Sequence, residues 1–192
     1  VHSGGILADA SIPNQTLHGV RAVFAPKVTS ATLWQAALHP QPATLHVIFS
    51  SVASLLGSPG QANYAAANAT LDSLAQAWQQ QGLSGLSVQW GTWAEGGMAA
   101  ANAATAKAVE RMGMGMVTPS QGLAALQGAL IGSASPVMGA TPFLWDKFIA
   151  RLQHATTLFE GFAHLAPSAA AKAASSQQQG AVAAAGASAS SS

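Results

Sequence analysis

The sequence predicts an α/β fold with a doubly wound parallel sheet, and three observations support this fold class. Residues 45–49 and 86–90 are short, mainly apolar runs with the length of strands buried in a parallel sheet. Residues 63–81 lie between them and carry apolar side chains at helical spacing, and Gly82 follows as a helix end. Serine or glycine comes directly after each apolar run, at the strand end where open α/β sheets bind ligands.

The remaining segments fit the same architecture. The other predicted elements are a strand end that runs into a glycine turn (1–5), a long amphipathic helix (13–38), a helix that opens at Thr118-Pro119 and ends near Ile131, a short last strand (136–139) and a last helix (142–152). Pro26 falls inside the long helix and should kink or restart it. Residues 96–116, rich in Gly, Ala and Met, suit a substrate lid, although a poorly packed surface helix has the same composition.

Composition narrows the class of protein. The chain has 192 residues, of which 49% are hydrophobic and 7% are charged, and its net charge is +1. Without a basic cluster, nucleic acid is not expected as a partner, and without a long apolar run no membrane span is expected. The chain has no cysteine, which excludes disulfides and thiolate metal sites. No metal site is expected, and the composition is compatible with a cytoplasmic protein, with a plastid location left open.

The two ends of the chain carry different signals. Val1 is preceded by no initiator Met and opens no secretory signal, so we expect the chain to begin inside a longer protein. From Pro167 onward almost only Ala, Ser, Gln and Gly remain, too few apolar groups to offset the entropy of ordering. We therefore expect one domain over 1–153 and an Ala/Ser/Gln-rich disordered linker over 154–192.

Hydroxyl and amide side chains are expected to meet at the end of the first apolar run. Ser50 and Ser51 follow that strand directly. Tyr64, the only tyrosine, and Asn68 are four residues apart and share one face of the next helix. The spacing therefore predicts that Ser51, Tyr64 and Asn68 converge on one small volume.

Several ordered motifs resemble one known family. The matching stretches, which together span about Val1 to Gln153, are His2-Ser3-Gly4-Gly5-Ile6-Leu7-Ala8-Asp9, Pro26-Lys27-Val28, Phe49-Ser50-Ser51-Val52-Ala53-Ser54, Gly60-Gln61-Ala62-Asn63-Tyr64-Ala65-Ala66-Ala67-Asn68-Ala69 and Trp90-Gly91-Thr92-Trp93. This pattern resembles the ketoreductase domain of polyketide and fatty-acid synthases, a branch of the short-chain dehydrogenase/reductase family. The resemblance implies a partial, Rossmann-like doubly wound sheet that corresponds to the second half of such a domain.

The resemblance also implies an activity. Such domains reduce a β-keto thioester, held on the phosphopantetheine of an acyl carrier protein, with NADPH as the cofactor and with neighbouring synthase domains as partners. Tyr64 would donate the proton, since free tyrosine keeps its proton at neutral pH, and Lys27 would stabilise the phenolate. Ser51, thirteen residues before Tyr64, would hold the substrate oxygen, and Asn68 would orient Lys27, a water or the cofactor ribose.

The positions of lysine and asparagine favour the synthase branch. Most of the wider family has Tyr-x-x-x-Lys with an earlier asparagine, whereas this chain has Tyr-x-x-x-Asn and an earlier Lys27. A lone lysine on a helix is more often a solvated surface residue, and only the Pro-Lys-Val spelling before Tyr64 favours the active-site interpretation.

Further residues receive roles by the same resemblance. The cofactor-binding candidates are His2, Ser3, Gly4, Ser50, Trp90 and Gly91. The candidates for substrate contact and stereochemical control are Asp9, Leu56, Trp93 and Met98. Leu7-Ala8-Asp9 keeps the last Asp of the Leu-Asp-Asp signature, and Leu56 stands where the alternative type has Trp, so the pattern favours the B-type hydroxyl configuration.

The glycine-rich nucleotide loop of the family does not occur before His2. In the strand order 3-2-1-4-5-6, the strands present here would form one side of the sheet. We therefore expect this segment alone to bind NADPH weakly and to be inactive in isolation. Two alternatives stay open: a fatty-acid-synthase-type ketoreductase, and a truncated, non-catalytic structural half-domain or scaffold.

Overall fold

The computed structural model contains a three-stranded parallel sheet and describes residues 1–38, 45–96, 103–132, 135–152 and 157–165. The strands, in sheet order, are β1 (Leu45–Ser51), β2 (Ser84–Trp90) and β3 (Val137–Ala140). His2 adds a parallel bridge to Ile48, on the side of β1 away from β2. The predicted parallel α/β sheet is thereby confirmed, with all four predicted strand segments adjacent in chain order.

The described residues also form helices. They are α1 (Leu17–Phe24), α2 (Ser30–Leu38), α3 (Ala53–Leu56), α4 (Ala62–Gln80), α5 (Ala103–Arg111), α6 (Pro119–Gly132) and α7 (Trp145–Arg151), with 3₁₀ turns at Ile12–Asn14 and Thr157–Leu165. The predicted helix 63–81 corresponds to α4, and Gly82 follows it with φ +77°. The predicted helix from Thr118-Pro119 corresponds to α6.

Side chains alternate between the two faces of the sheet, as parallel strands covered on both sides require. On one face, residues of β1 and β2 such as Val47 and Val88 pack with Ala129 of α6. On the other face, Ile48 packs with Leu71 and Ala75 of α4 and with Ala31 of α2. The second face also buries polar groups, namely His46, Ser50, Ser87 and Gln89. Helix α4 thus covers the polar side of the sheet.

At Pro26 the backbone changes from an α-helix to a π-helical turn, and the helical segment continues beyond it. A π-helical turn spans Ala25–Thr29 between α1 and α2, where the sequence predicted a kink or restart. Proline donates no backbone hydrogen bond and its ring displaces the preceding carbonyl, so a wider turn accommodates it. This turn carries Lys27, which is only 3% exposed. The π-helical turn at Pro26 therefore places the side chain of Lys27 in the protein interior.

Three segments differ from their predictions. The last predicted helix is shorter, because α7 covers Trp145–Arg151 alone. Residues 157–165 are helical where the sequence predicted a disordered linker, and the buried ring of Phe159 packs against Phe148. The rest of that predicted linker, 154–156 and 166–192, lies outside the described residues. Part of the predicted lid is α5, whereas 97–102 lie outside the described residues.

The chain divides into two compact units. One comprises 1–107 and 115–142 and holds the sheet with helices α1 to α4 and α6. The other comprises 108–114 and 143–192, and its described part is an aromatic cluster in which Trp145 stacks on Phe162 with ring centroids 4.2 Å apart. In the described part of the chain, every helix is too short or too polar to cross a membrane.

Candidate active site

Lys27 and Tyr64 meet inside the first unit. The Nζ of Lys27 donates a hydrogen bond to the backbone oxygen of Phe49, at 3.2 Å. It also lies over the ring of Tyr64, 5.2 Å from the centroid. Tyr64 stands in the first turn of α4 and is 8% exposed. The π turn and the start of α4 therefore bring the predicted amine and phenol together at the end of β1.

Burial sets the charge states of this pair. Desolvation lowers the pKa of Lys27 to about 8, and the negative charge of Asp72 opposes that shift. Desolvation raises the pKa of Tyr64, while hydrogen bonding of its hydroxyl to the side chains of Asn68 and Ser51 lowers it and the charge of Asp9 raises it. At neutral pH the site therefore holds an ammonium beside a protonated phenol. The ammonium of Lys27 lies over the ring face of Tyr64, and desolvation is the largest influence on the phenol pKa.

Ser51 and Asn68 complete the predicted group. Ser51 ends β1, and its Oγ accepts a hydrogen bond from the backbone N–H of Ala53 at 3.2 Å. Asn68 is fully buried, and its Nδ2 donates to the backbone oxygen of Tyr64 at 2.8 Å. The Oδ1 of Asn68 is buried and has no hydrogen-bond partner within the described part of the chain. An unpaired buried acceptor is costly, so a further donor beside this oxygen would be stabilising.

The N-terminal segment lies against the lysine turn. His2 exchanges backbone hydrogen bonds with β1, and its Nε2 is 3.0 Å from the backbone oxygen of Lys27. A Cβ on Gly4 would stand 2.8 Å from the backbone oxygen of Pro26, so only glycine fits there. Ser3 is exposed. Ser50 is buried and its hydroxyl donates to the backbone oxygen of Asn68, at 3.2 Å. These contacts fix the position of the turn that carries Lys27.

The two predicted tryptophans belong to a different cluster. The ring of Trp90 packs between Phe49 and Trp93, with centroids 5.4 Å and 5.0 Å away, in the core next to α6. Its Nε1 is buried and has no partner among the described residues. A Cβ on Gly91 would overlap the side chain of Thr141, which follows β3. Trp90 and Trp93 thus belong to a different core cluster from Tyr64, and their assigned roles stay predictions.

The residues predicted to control stereochemistry are scattered. Asp9 is exposed, and its Oδ2 accepts a hydrogen bond from the side chain of Gln61 at 3.0 Å, just before α4. Leu56 is partly exposed at the end of α3. Met98 lies outside the described residues. Asp9 is thus the member of this set that lies near enough to Tyr64 to influence its pKa.

Asp72 is a buried carboxylate next to the site that the sequence analysis did not single out. Asp72 lies on α4 two turns after Tyr64 and is 8% exposed. It accepts hydrogen bonds from Ser54, Ser87 and Gln89, at 2.6 Å, 2.7 Å and 2.8 Å. The available signal was its place four residues after Asn68, on the apolar face of α4, where a charged residue is out of pattern.

Comparison with known sequences gives a consistent family. A family model described as the KR domain matches residues 1–95. A phenolphthiocerol/phthiocerol polyketide synthase protein of Mycobacterium tuberculosis is 39% identical over 130 residues, which is 68% of this chain and 6% of that protein. The phthioceranic/hydroxyphthioceranic acid synthase of Mycobacterium bovis is 32% identical over 175 residues, which is 90% of this chain and 8% of that protein. The chain therefore spans a small part of the length of these relatives.

Solved structures agree with this assignment. An A1-type ketoreductase superposes with a TM-score of 0.77 at 32% identity, covering 87% of this chain and 36% of that one. An A-type ketoreductase from a modular polyketide synthase gives a TM-score of 0.72 at 33% identity, covering 88% and 33%. A matching family model, related synthases and a shared fold place this chain in the ketoreductase domain family of polyketide synthases.

Proposed function

We propose that this chain forms the substrate-side half of a β-ketoacyl reductase that converts a β-keto thioester to the β-hydroxy thioester. The observation that carries the proposal is the grouping of four residues at the end of β1: Lys27 lies over the Tyr64 ring, Asn68 donates to the Tyr64 backbone oxygen, and Ser51 ends the strand and influences the pKa of the Tyr64 hydroxyl. Reduction of a ketone needs a proton donor and a group that holds the developing alkoxide. The four residues supply both.

Each residue has a distinct task. Tyr64 keeps its proton at neutral pH, because burial raises its pKa, and gives that proton to the substrate oxygen. The hydroxyl of Ser51 donates a hydrogen bond to the same oxygen and positions it. Lys27, still largely protonated at pH 7 with a pKa of about 8, stabilises the phenolate that Tyr64 leaves. Asn68 orients the group next to Tyr64 through its unpaired Oδ1.

The residues present fit a nicotinamide cofactor, which we propose to be NADPH and which supplies the hydride when bound. The unpaired Oδ1 of Asn68 is an acceptor of the kind that a ribose hydroxyl satisfies. Gly4 and Gly5 after His2 carry no side chain, so the backbone there can pass close to a bound cofactor. Ser3, Ser50, Trp90 and Gly91 stay cofactor-binding candidates. We propose that the isolated segment binds NADPH weakly and is inactive; micromolar affinity by isothermal titration of the isolated chain would contradict this.

The names and lengths of the relatives support a proposal about substrate delivery. Both matched proteins are large polyketide synthases or acid synthases by name, and the chain covers 6% and 8% of their lengths. We therefore propose neighbouring synthase domains and an acyl carrier protein with a phosphopantetheine-bound substrate as partners. Within the chain we propose a ketoreductase portion over 1–153 followed by a linker that includes the helical residues 157–165. A cytoplasmic location belongs to the same proposal.

The hydroxyl configuration is a separate proposal. Asp9 follows the glycine turn and favours the B-type product, whereas two matched structures are described as A-type and A1-type. The hydrogen bond from Gln61 holds the carboxylate of Asp9 near the start of α4. Chiral chromatography of the reduced thioester decides between the two types: the B-type enantiomer supports a role for Asp9, and the A-type enantiomer rejects it.

Replacement of Tyr64 by Phe in the full-length protein tests the proposed activity. Tyr64→Phe keeps the ring under Lys27 but removes the proton donor, so ketone reduction should fall by at least about 100-fold. NADPH binding, followed by fluorescence, should be retained. Unchanged turnover would refute Tyr64 as the donor. If the wild-type protein reduces neither polyketide-type nor fatty-acid-type β-keto thioesters, the non-catalytic half-domain is favoured.

A further inference from the structure

A buried hydrogen-bond network ties α4 to the loop that follows β1. Its centre is Asp72, whose Oδ2 accepts from the Ser54 hydroxyl at 2.6 Å and from the Gln89 amide at 2.8 Å. Its Oδ1 accepts from the Ser87 hydroxyl at 2.7 Å. A carboxylate that is 8% exposed is costly unless such donors satisfy it. Three donors from α3 and β2 provide that compensation.

One branch of the network reaches the proposed site. Ser54 lies in α3, and its Oγ is 2.8 Å from the backbone oxygen of Ser51 as well as 2.6 Å from Asp72. A serine hydroxyl has one hydrogen, so Ser54 shares it between these two acceptors. Gln89 donates to the same Oγ at 3.0 Å and fixes it from a third direction. Asp72 and Gln89 thereby hold Ser54 against the carbonyl of Ser51.

The other branch does not reach the site. Ser87 lies on β2, is fully buried and donates to Asp72 alone among the described contacts of its hydroxyl. It links α4 to the sheet. The two serines therefore bind opposite oxygens of one carboxylate, and only Ser54 also touches Ser51.

We propose that Asp72 is a positioning residue: it fixes the rotation and height of Ser51 through Ser54, so that the Ser51 hydroxyl points at the oxygen being reduced. This inference rests on the proposed reductase function. Ser51 is the last residue of β1. Its Oγ accepts a hydrogen bond from the backbone N–H of Ala53, and its backbone oxygen accepts one from Ser54 of α3. Displacement of a reacting group by about 1 Å costs up to about 100-fold in rate, so a small loss of position is measurable.

A matched pair of serine substitutions separates positioning from general support. In the full-length protein at pH 6.5, Ser54→Ala should lower kcat about tenfold and leave KM within about twofold, because the substrate still binds but its oxygen is poorly held. Ser87→Ala removes the other serine hydroxyl that donates to the Asp72 carboxylate, and it should change kcat less than about twofold. Equal effects of the two substitutions on kcat, or no effect of Ser54→Ala, would overturn the proposal.

Non-additivity tests whether Asp72 acts through Ser54. Asp72→Asn keeps the shape of the side chain and should lower kcat about fivefold, but it should have no further effect when combined with Ser54→Ala. At pH 6.5 wild-type Lys27 is largely protonated, and the pH profile of Asp72→Asn measures separately how far that substitution lowers the pKa of Lys27. If Asp72→Asn leaves kcat unchanged, or if the two effects multiply, Asp72 does not position Ser51.

A readout without turnover keeps the two proposals apart. Hydrogen–deuterium exchange of the peptide that covers Ser51 to Leu56 should become faster in Ser54→Ala and in Asp72→Asn, and should stay unchanged in Ser87→Ala. Faster exchange in these two variants, in a protein that reduces no ketone, would reject the reductase function and leave the positioning link standing. Unchanged exchange in an active reductase would reject the link alone.

Discussion

The ammonium of Lys27 lies over the aromatic face of Tyr64, with Nζ 5.2 Å from the ring centroid. The two residues are brought together by a proline-induced π turn and by the first turn of α4. Burial disfavours the charged form of each, and it lowers the pKa of Lys27 to about 8 while raising that of Tyr64. The charge of Lys27 therefore changes at a pH much closer to neutrality than the charge of an ordinary lysine.

Ketone reduction should fall as the pH rises through about 8, because Lys27 then loses the proton that stabilises the phenolate. The pH dependence of kcat/KM between pH 6 and 10 measures this basic limb. Conformational stability should move in the opposite sense. The pKa of Lys27 is lower in the folded state than its ordinary 10.5, so at this group the unfolded state binds more protons between about 8 and 10.5, and the contribution of Lys27 to stability rises there. Activity that stays constant to pH 9.5 would contradict the role of Lys27.

Asp72→Asn should shift the basic limb to lower pH, because the charge of Asp72 raises the pKa of Lys27 and the substitution removes it. The other titratable side chains in contact with Lys27 or its turn are Tyr64 and His2, which the substitution leaves in place. Ser87→Ala is the matched control, since it perturbs the same carboxylate without removing its charge. A limb at the same pH in Asp72→Asn and wild type would show that this charge does not reach Lys27.

The elements that periodicity could predict are those whose pattern is local. Helix α4 and strands β1 and β2 follow from apolar spacing that does not depend on the rest of the chain. The meeting of Ser51, Tyr64 and Asn68 follows as well, because one strand end and one helix face are enough to define it. Lys27 required the family resemblance, since a lone lysine on a helix carries no signal of its own.

The parts that the sequence did not reveal depend on contacts between distant segments. Asp72 looks like an isolated charge in an Ala-rich helix until Ser87 and Gln89 are seen to place donors opposite it. Helix 157–165 was hidden by its Ala- and Ser-rich surroundings, although Phe159 and Phe162 pack against rings of the preceding helix. Average composition does not register a few aromatic residues such as Phe159 and Phe162, and their contacts are visible only in the packed structure.

His46→Leu should stabilise β1, because the wild-type imidazole is 1% exposed and neither of its nitrogens has a hydrogen-bond partner among the residues that the structure describes. Leucine has a similar volume and removes two unsatisfied polar atoms, while losing the edge contacts with Trp34 and Trp78. We expect the local opening free energy to rise by about 1 kcal/mol. Hydrogen–deuterium exchange of the β1 peptide in the full-length protein measures it. Faster exchange would mean that the ring contacts outweigh the unpaired nitrogens.

Two glycine-to-alanine substitutions should have opposite effects on stability. A Cβ on Gly85 of β2 would stand 2.9 Å from the backbone oxygen of Ala75 and 3.0 Å from the Cβ of Trp78, so Gly85→Ala must push α4 away from the sheet. Overpacking of this kind costs about 1–3 kcal/mol. Gly128 lies inside α6 and a Cβ there meets nothing within 4 Å, so Gly128→Ala should add about 0.5–1 kcal/mol through helix propensity.

Exchange rates of the α4 and α6 peptides in the two variants test this difference. Gly85→Ala should speed exchange in α4 and leave α6 unchanged, and it should also lower kcat, because α4 carries Tyr64, Asn68 and Asp72. Gly128→Ala should slow exchange in α6 and leave kcat at the wild-type value. A Gly85→Ala protein with normal exchange and normal turnover would show that α4 tolerates a shift from the sheet, and that the geometry around Tyr64 does not depend on this close contact.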